Sequence, residues 1–338
     1  MKNVKIGVVG YGNVGKGFVQ ALNQKTDFYR KIYQLNFFIT AIVTKNNGCV
    51  YNPNGISLDE LLTVNSFAEL SDVERPDWNT ISMIQQAETD VIVEISSTNL
   101  INGEPAVLHI REAILSGKNV VTSNKGPIAL HYKMLNSLAN QNNVKLGIEG
   151  TVMSGTPSLR FAKDLLFPSG ITSVRGILNG TCNFILTEME KGLSFNEALA
   201  HAQEFGYAET DPSGDIEGLD TAGKVAILSQ LIFDEKQTPA EMGYEGITGI
   251  TVEDIQMAKK ENCRWKLIGS VKKVQNHIIT SVKPEMVPLS NPLANVNGSM
   301  NAIQYETDLL GMVTLIGPGA GRMETAAALL EDLITIYK

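Results

Sequence analysis

Short, continuous apolar runs alternate with longer segments of helical spacing through the first 150 residues. VKIGVV reads as a buried strand that stops at Gly10 and gives way to a helical pattern in GNVGKGFVQAL. NFFITAIVT and DVIVEISS predict further strands, and EPAVLHIREAILSG predicts a helix closed by Gly117. NVVTSN, GPIALHYKMLNSLANQNN and VKLGIEGTV continue as strand, helix and strand. Strands apolar on both faces and separated by helices predict a doubly wound, mostly parallel sheet. Residues 48–80 are rich in turn formers and predict only one short helix.

From about residue 151 the pattern changes. GTVMSGTPSLRFAKDLLFPSG predicts a turn and then a helix, and ITSVRGILNGTCNFILTEMEKG a strand, an Asn-Gly turn and a helix. RWKLIGSVKK, NHIITSVKPEMV and NAIQYETDLLGMVTLIG alternate apolar and polar residues as antiparallel strands do. GPGAGRMETAAALLEDLITIYK is a Gly-rich loop leading into a helix expected to pack on the first domain. The fold class is therefore α/β: a Rossmann-type nucleotide-binding domain at 1–150, an α+β substrate domain at 151–314, and a returning C-terminal helix at 315–338.

Composition narrows the function classes. A net charge of -8 argues against nucleic acid, whose phosphates need a basic surface. No apolar stretch approaches the ~20 residues that span a bilayer. Cys49, Cys182 and Cys263 stand far apart, with no CxxC pair for zinc or redox work. The chain opens directly on a strand, so no signal peptide is expected. These features predict a soluble, cytoplasmic protein.

Gly10, Gly12 and Gly15 form GxGxxG between a strand and a helix. In that context the first glycine permits the turn, the second the approach of a pyrophosphate, and the third close packing. Asn13 and Val14 open the helix, whose free N–H groups face the phosphates. After the second strand, Thr44, Lys45, Asn46 and Asn47 offer no acid for a ribose hydroxyl. Lys45 in that place favours a 2′-phosphate, and thus NADP(H) over NAD(H). Ser96, Ser97, Thr98, Asn124 and Lys125 lie at carboxyl ends of strands, where ligands gather in such sheets.

In DPSGDIEGLDTAGKVAIL, Asp220 and Lys224 are four residues apart and share a helix face with Ile227 and Leu231. An exposed ion pair would stand on a polar face, so this one is expected to be partly desolvated. A lysine held by an aspartate in a cleft can exchange a proton near neutral pH, as carbonyl reduction by hydride requires. The adjoining EFGYAETDPSGD places Glu204, Glu209, Asp211 and Asp215 in one acidic loop suited to an ammonium group or a cation.

With those residues in view, the chain resembles the homoserine dehydrogenases in GYGNVGKG, VTSNKGPIAL, EGTVMSGTP, RGILNGTCNFIL, EFGYAETDPSGDIEGLDTAGK, NPLANVNGSMNAI and GPGAG. The resemblance spans nearly the whole chain and is to the short form, without an appended regulatory domain. It implies reversible NAD(P)-linked interconversion of L-homoserine and L-aspartate 4-semialdehyde, on the route to threonine, isoleucine and methionine. It makes Lys224 the proton donor and acceptor, Asp220 its partner at the substrate hydroxyl, and Glu209 and Asp215 substrate carboxylates. Lys125 falls at the junction of cofactor and substrate, and Gly206 and Gly321 line the nicotinamide. Glu149, Val152, Ser154 and Thr156 match positions that hold a monovalent cation, Na+ or K+, largely through backbone oxygens. The family's dimers form through the second-domain sheet, so a homodimer is implied. Met153 and Ser154 stand where glycine or alanine is common, and Met323 and Glu324 where proline is frequent.

Rival functions fit the residues less well. Aspartate-semialdehyde dehydrogenase needs a thiol nucleophile with a basic partner, which neither Cys182 nor Cys263 has. Sugar-type oxidoreductases usually show Glu-Lys-Pro where this chain has Asn124-Lys125-Gly126-Pro127. A nicotinamide-sensing regulator without turnover would have no use for an aligned Asp220–Lys224 pair.

Overall fold

The computed structural model describes residues 1–338. Its strands are β1 (Lys2–Val9), β2 (Leu35–Thr44), β3 (Gly48–Tyr51), β4 (Val91–Glu94), β5 (Asn119–Thr122), β6 (Leu146–Gly147), β7 (Ile171–Ile177), β8 (Cys263–Val274), β9 (His277–Pro288), β10 (Met300–Thr307) and β11 (Gly311–Pro318). Its helices are α1 (Asn13–Tyr33), α2 (Leu58–Thr63), α3 (Thr80–Gln86), α4 (Ala106–Leu115), α5 (Lys125–Gln141), α6 (Ser158–Arg160), α7 (Gly180–Glu190), α8 (Phe195–Glu204), α9 (Ser213–Ile216), α10 (Leu219–Phe233), α11 (Pro239–Met242), α12 (Val252–Lys260) and α13 (Arg322–Tyr337). The chain divides into two compact units, Met1–Gly155 with Gly321–Lys338, and Thr156–Ala320. Residues 151–155 and the end of β11 thus fall on the other side of the divisions expected at 150 and 314.

In the first unit six strands run in the order β3-β2-β1-β4-β5-β6. All are parallel except β3, which pairs antiparallel with β2. Val4, Ile6, Val8 and Val91–Val93 are fully buried because helices cover both faces of the sheet. On one face Phe18, Val19 and Leu22 of α1 pack with Leu329, Leu330 and Leu333 of α13. On the other, Ile110 and Ile114 of α4 meet Ile92, Val120 and Leu135. The strand order reverses between β1 and β4, and sheets of this kind bind ligands at the carboxyl ends of strands at such a point. α13 docks tightly on α1: a Cβ on Gly17 would lie 2.5 Å from Arg322 O.

Two expectations need correction here. The strand read in VKLGIEGTV is only Leu146–Gly147, because the chain turns at Glu149, whose N–H donates to Asp332 Oδ2 of α13 at 2.9 Å. Residues 48–80 hold more than a short helix: β3 forms the sheet edge, α2 follows, and a 3-10 turn spans Phe67–Glu69 before α3 begins at Thr80.

The second unit is a five-stranded antiparallel sheet in the order β11-β10-β7-β8-β9. α10 lies so close that a Cβ on Gly269 of β8 would be 2.7 Å from Val225. The segment NAIQYETDLLGMVTLIG is a hairpin, β10 and β11, rather than one strand. Cross-strand pairing places Met312, Glu306, Ser173, Lys272 and Ile279 in one row on the opposite face. Met312 and Ile279 there are 50% and 52% exposed.

Candidate active site

In the first unit, β1 ends at Val9 and the chain turns at Gly10 with φ +97°. A Cβ on Gly10 would stand 2.7 Å from Ile95 O, just past β4, so only glycine fits. Gly12 differs: nothing lies within 4 Å of where its Cβ would be, and it heads α1 without a side-chain cap. Gly15 lets the first turn of α1 close on the loop, its Cβ position being 3.1 Å from Gly10 O. No acid stands in that first turn, so the N–H groups from Asn13 and Val14 onward keep their pull on an anion. An open glycine face under an uncapped helix start suits a pyrophosphate.

Lys45 is exposed in the β2–β3 turn, which Asn47 N closes by donating to Thr44 Oγ1 at 2.9 Å. Ser97 and Thr98 are exposed just beyond β4. Asn124 ties that turn to Lys125: its Oδ1 accepts from Gly126 N at 3.2 Å, and its Nδ2 donates to Ser96 O at 3.1 Å and Ser97 O at 3.4 Å. Beneath lies Glu94, fully buried, which accepts from Ser96 Oγ and faces His109 Nδ1 at 3.4 Å. Thr122 Oγ1 donates to Glu94 O at 2.7 Å and accepts from Asn124 N at 2.9 Å. Sequence reasoning missed this support; its one signal was an acid inside an otherwise apolar strand.

In the second unit, Lys224 Nζ is 2.8 Å from Asp220 Oδ2 and donates to Leu178 O at 2.5 Å. Lys224 is 5% exposed, so the pair is desolvated rather than a surface ion pair. Two of its three N–H groups are committed, which leaves one for a ligand oxygen. Asp215 joins the cluster through Asn179, whose Nδ2 donates to Asp215 Oδ1 at 2.7 Å and Asp220 Oδ2 at 3.0 Å. Burial, then the Asp220 carboxylate, push the Asp215 carboxyl above the usual aspartate range, against the pull of Asn179, Lys224 and Thr181. Asn179 and the Leu178 carbonyl were not anticipated from the sequence.

Glu209 is exposed on the loop before α9, where Gln203 Nε2 donates to its backbone O at 3.1 Å. Gly206 turns at φ +73° after α8, and Gly321 at φ +141° heads α13 in the first unit. Cys182 is fully buried, its Sγ 3.2 Å from Asp215 O, and burial pushes its thiol well above the ordinary range. That excludes it as a nucleophile. Glu149, Val152 and Ser154 are buried in the first unit and Thr156 in the second. The Ser154 hydroxyl is engaged with Thr325 Oγ1 at 2.8 Å, and Thr156 Oγ1 donates to Pro318 O at 3.0 Å. No three His, Cys, Asp or Glu side chains gather as a metal site, so a cation here would rest on backbone oxygens.

Known proteins match this arrangement along its whole length. The homoserine dehydrogenase family profile matches residues 157–334, and the homoserine dehydrogenase NAD binding domain profile residues 10–149. An NAD(+)-dependent homoserine dehydrogenase of Pseudomonas canavaninivorans is 40% identical, over 100% of this chain and 97% of its own. A homoserine dehydrogenase of Methanocaldococcus jannaschii is 41% identical, over 98% of this chain and 97% of its own. A hyperthermophilic archaeal homoserine dehydrogenase solved in complex with NADPH superposes with a TM-score of 0.84 at 28% identity, covering 99% of this chain and 98% of that one. With a dinucleotide loop in one unit and a buried Asp–Lys pair in the other, the chain belongs to the homoserine dehydrogenase family of oxidoreductases.

Proposed function

We propose that the chain interconverts L-homoserine and L-aspartate 4-semialdehyde, with Lys224 as the acid and base. The single observation that carries this is the desolvated Asp220–Lys224 pair with one lysine N–H uncommitted. A bound nicotinamide supplies or accepts the hydride at the substrate carbon. In reduction, the Lys224 ammonium gives a proton to the forming alkoxide; in oxidation, the amine removes it from the hydroxyl. Asp220 keeps the lysine charge compensated and oriented, Glu209 and Asp215 draw the substrate ammonium, and Lys125 adds positive charge at its helix start. Gly10, Gly12, Asn13, Val14, Gly15, Ser97, Thr98, Gly206 and Gly321 are assigned to the cofactor.

Lys45, with no acid beside it after β2, supports NADP(H) over NAD(H). A monovalent cation, Na+ or K+, is assigned to Glu149, Val152, Ser154 and Thr156. Exposed Met312 and Ile279, at the two ends of that cross-strand row, support a homodimer built on that sheet face. Cys49, Cys182 and Cys263 are all free thiols, which supports the reducing cytoplasm as its compartment. No helix is long and apolar enough to cross a membrane.

Homoserine-dependent reduction of NADP and NAD at alkaline pH, in wild type and Lys224→Ala, tests the proposal. Wild-type turnover with a loss of ~10²-fold or more in the variant is the expected result. Faster reduction of NAD than NADP would refute the role of Lys45. Absence of turnover with both cofactors would refute the reaction.

A further inference from the structure

One side chain that the reaction scheme leaves unused stands between two of its acids. Asn179 is 4% exposed. Its Oδ1 accepts from Cys182 N at 2.8 Å and so caps α7. That bond fixes the amide, oxygen toward the helix and nitrogen toward the carboxylates. Nδ2 gives one hydrogen to Asp215 Oδ1 at 2.7 Å and the other to Asp220 Oδ2 at 3.0 Å. Neighbouring carboxylates repel, and a donor shared between them offsets the repulsion and fixes the rotation of each. The preceding residue, Leu178, holds Lys224 through its carbonyl at 2.5 Å. A single turn of backbone between β7 and α7 therefore sets Lys224, Asp220 and Asp215 together.

We infer that Asn179 is a positioning residue for the acid–base step, holding Asp220 toward Lys224 and Asp215 beside it without touching the reacting atoms. The inference rests on the reaction proposed above. It goes beyond helix capping: serine or aspartate would also cap α7, but neither offers the paired N–H groups of an amide. The titratable groups facing Asp215 are Asp220 and Lys224 of α10 and Cys182 of α7, and Glu217 acts on Cys182 in turn. Since the Asn179 bond lowers the Asp215 pKa, its loss raises that pKa, and the acid limb of the activity profile moves to higher pH.

Asn179→Ser and Asn179→Asp both retain a capping oxygen and are measured beside wild type. The readouts are kcat, KM for homoserine and for cofactor, Tm, and the pH profile of kcat/KM. Asn179→Ser should lower kcat about tenfold or more, since misplaced catalytic groups lose rate steeply, and shift the acid limb upward. KM for the cofactor and Tm should stay near wild type. Asn179→Asp should lose more, because it sets a third carboxylate against the other two. A wild-type kcat and acid limb in either folded variant would overturn the inference and leave the reaction standing. A fall in Tm with an unchanged profile would reduce Asn179 to a helix cap and overturn it as well. An inactive wild type would remove the reaction itself and the inference with it, so the wild-type control separates the two failures.

Discussion

Two lysines are buried in the second unit, and opposite surroundings hold them there. Lys224 has the Asp220 carboxylate 2.8 Å away and one neutral oxygen, Leu178 O. Lys266 on β8, fully buried, touches only neutral oxygens: Asn183 Oδ1 at 2.9 Å and Val296 O at 2.7 Å. Both are anchored around α7, the first at its start and the second one turn along. A buried cation is tolerable with a carboxylate beside it; without one, the neutral amine is favoured. Either form of the Lys266 amine can make its two bonds, so losing the proton leaves them in place. In the mechanism proposed above Lys224 moves the proton, whereas Lys266 ties the 296–300 loop to α7.

The sharpest way to break this contrast is to remove each amine in turn. Lys224→Met should lower kcat by ~10² to 10⁴-fold, the range for loss of a general acid or base. Lys266→Met should leave kcat close to wild type. Steady-state rates on homoserine measure both, and equal losses would erase the distinction.

Stability against pH comes next in size. Burial lowers the Lys266 pKa from the ordinary 10.5 to about 8, with Glu190 opposing and Arg264 adding to the shift. Between those values the unfolded chain binds more protons than the folded one, so stability should rise with pH across that window. The full effect is on the order of 3 kcal/mol. Thermal unfolding of wild type and Lys266→Met from pH 7 to pH 10.5 isolates it. Wild type should gain relative to the variant above pH 8, and parallel curves would show that Lys266 does not titrate there.

The same contrast explains what the sequence could disclose. The Gly10–Gly15 loop was legible because a tight turn and a helix start depend on neighbours along the chain. Asp220 and Lys224 were legible as an i, i+4 pair on an apolar stripe. Asn179 was not, since its carboxylate partners lie 36 and 41 residues away and only a helix cap is written locally. Glu94 and His109 meet through the sheet, and Lys266 looks like any polar residue in an alternating strand. β6 is shorter than its apolar pattern predicts because Asp332, almost two hundred residues on, ends it by accepting from Glu149 N.

Glycines of the first unit repeat the division between building and binding, on a smaller scale. Gly10→Ala places a Cβ 2.7 Å from Ile95 O at φ +97° and should cost about 2 kcal/mol of stability. Gly12→Ala adds a methyl in open space and should leave Tm unchanged while weakening cofactor binding about tenfold, or 1.4 kcal/mol. Calorimetric unfolding and cofactor titration of both variants would expose any mixing of the two roles.

The smallest effects concern two residues other than glycine held in the left-handed region. Gln34 closes α1 at φ +57°, and Ser154 turns at φ +50°. The Gln34 side chain makes only one long, exposed bond, Nε2 donating to Lys31 O at 3.3 Å, so Gln34→Gly should still stabilise by about 0.5–1 kcal/mol, as glycine does at a helix C-terminus. Ser154→Gly relieves similar strain but removes the 2.8 Å bond to Thr325 Oγ1, worth about 1 kcal/mol, so the two should nearly cancel. Thermal unfolding of the two variants resolves the difference. A gain of equal size in both would mean that the Ser154 hydroxyl contributes nothing, and that the serine occupies a place where glycine would serve better.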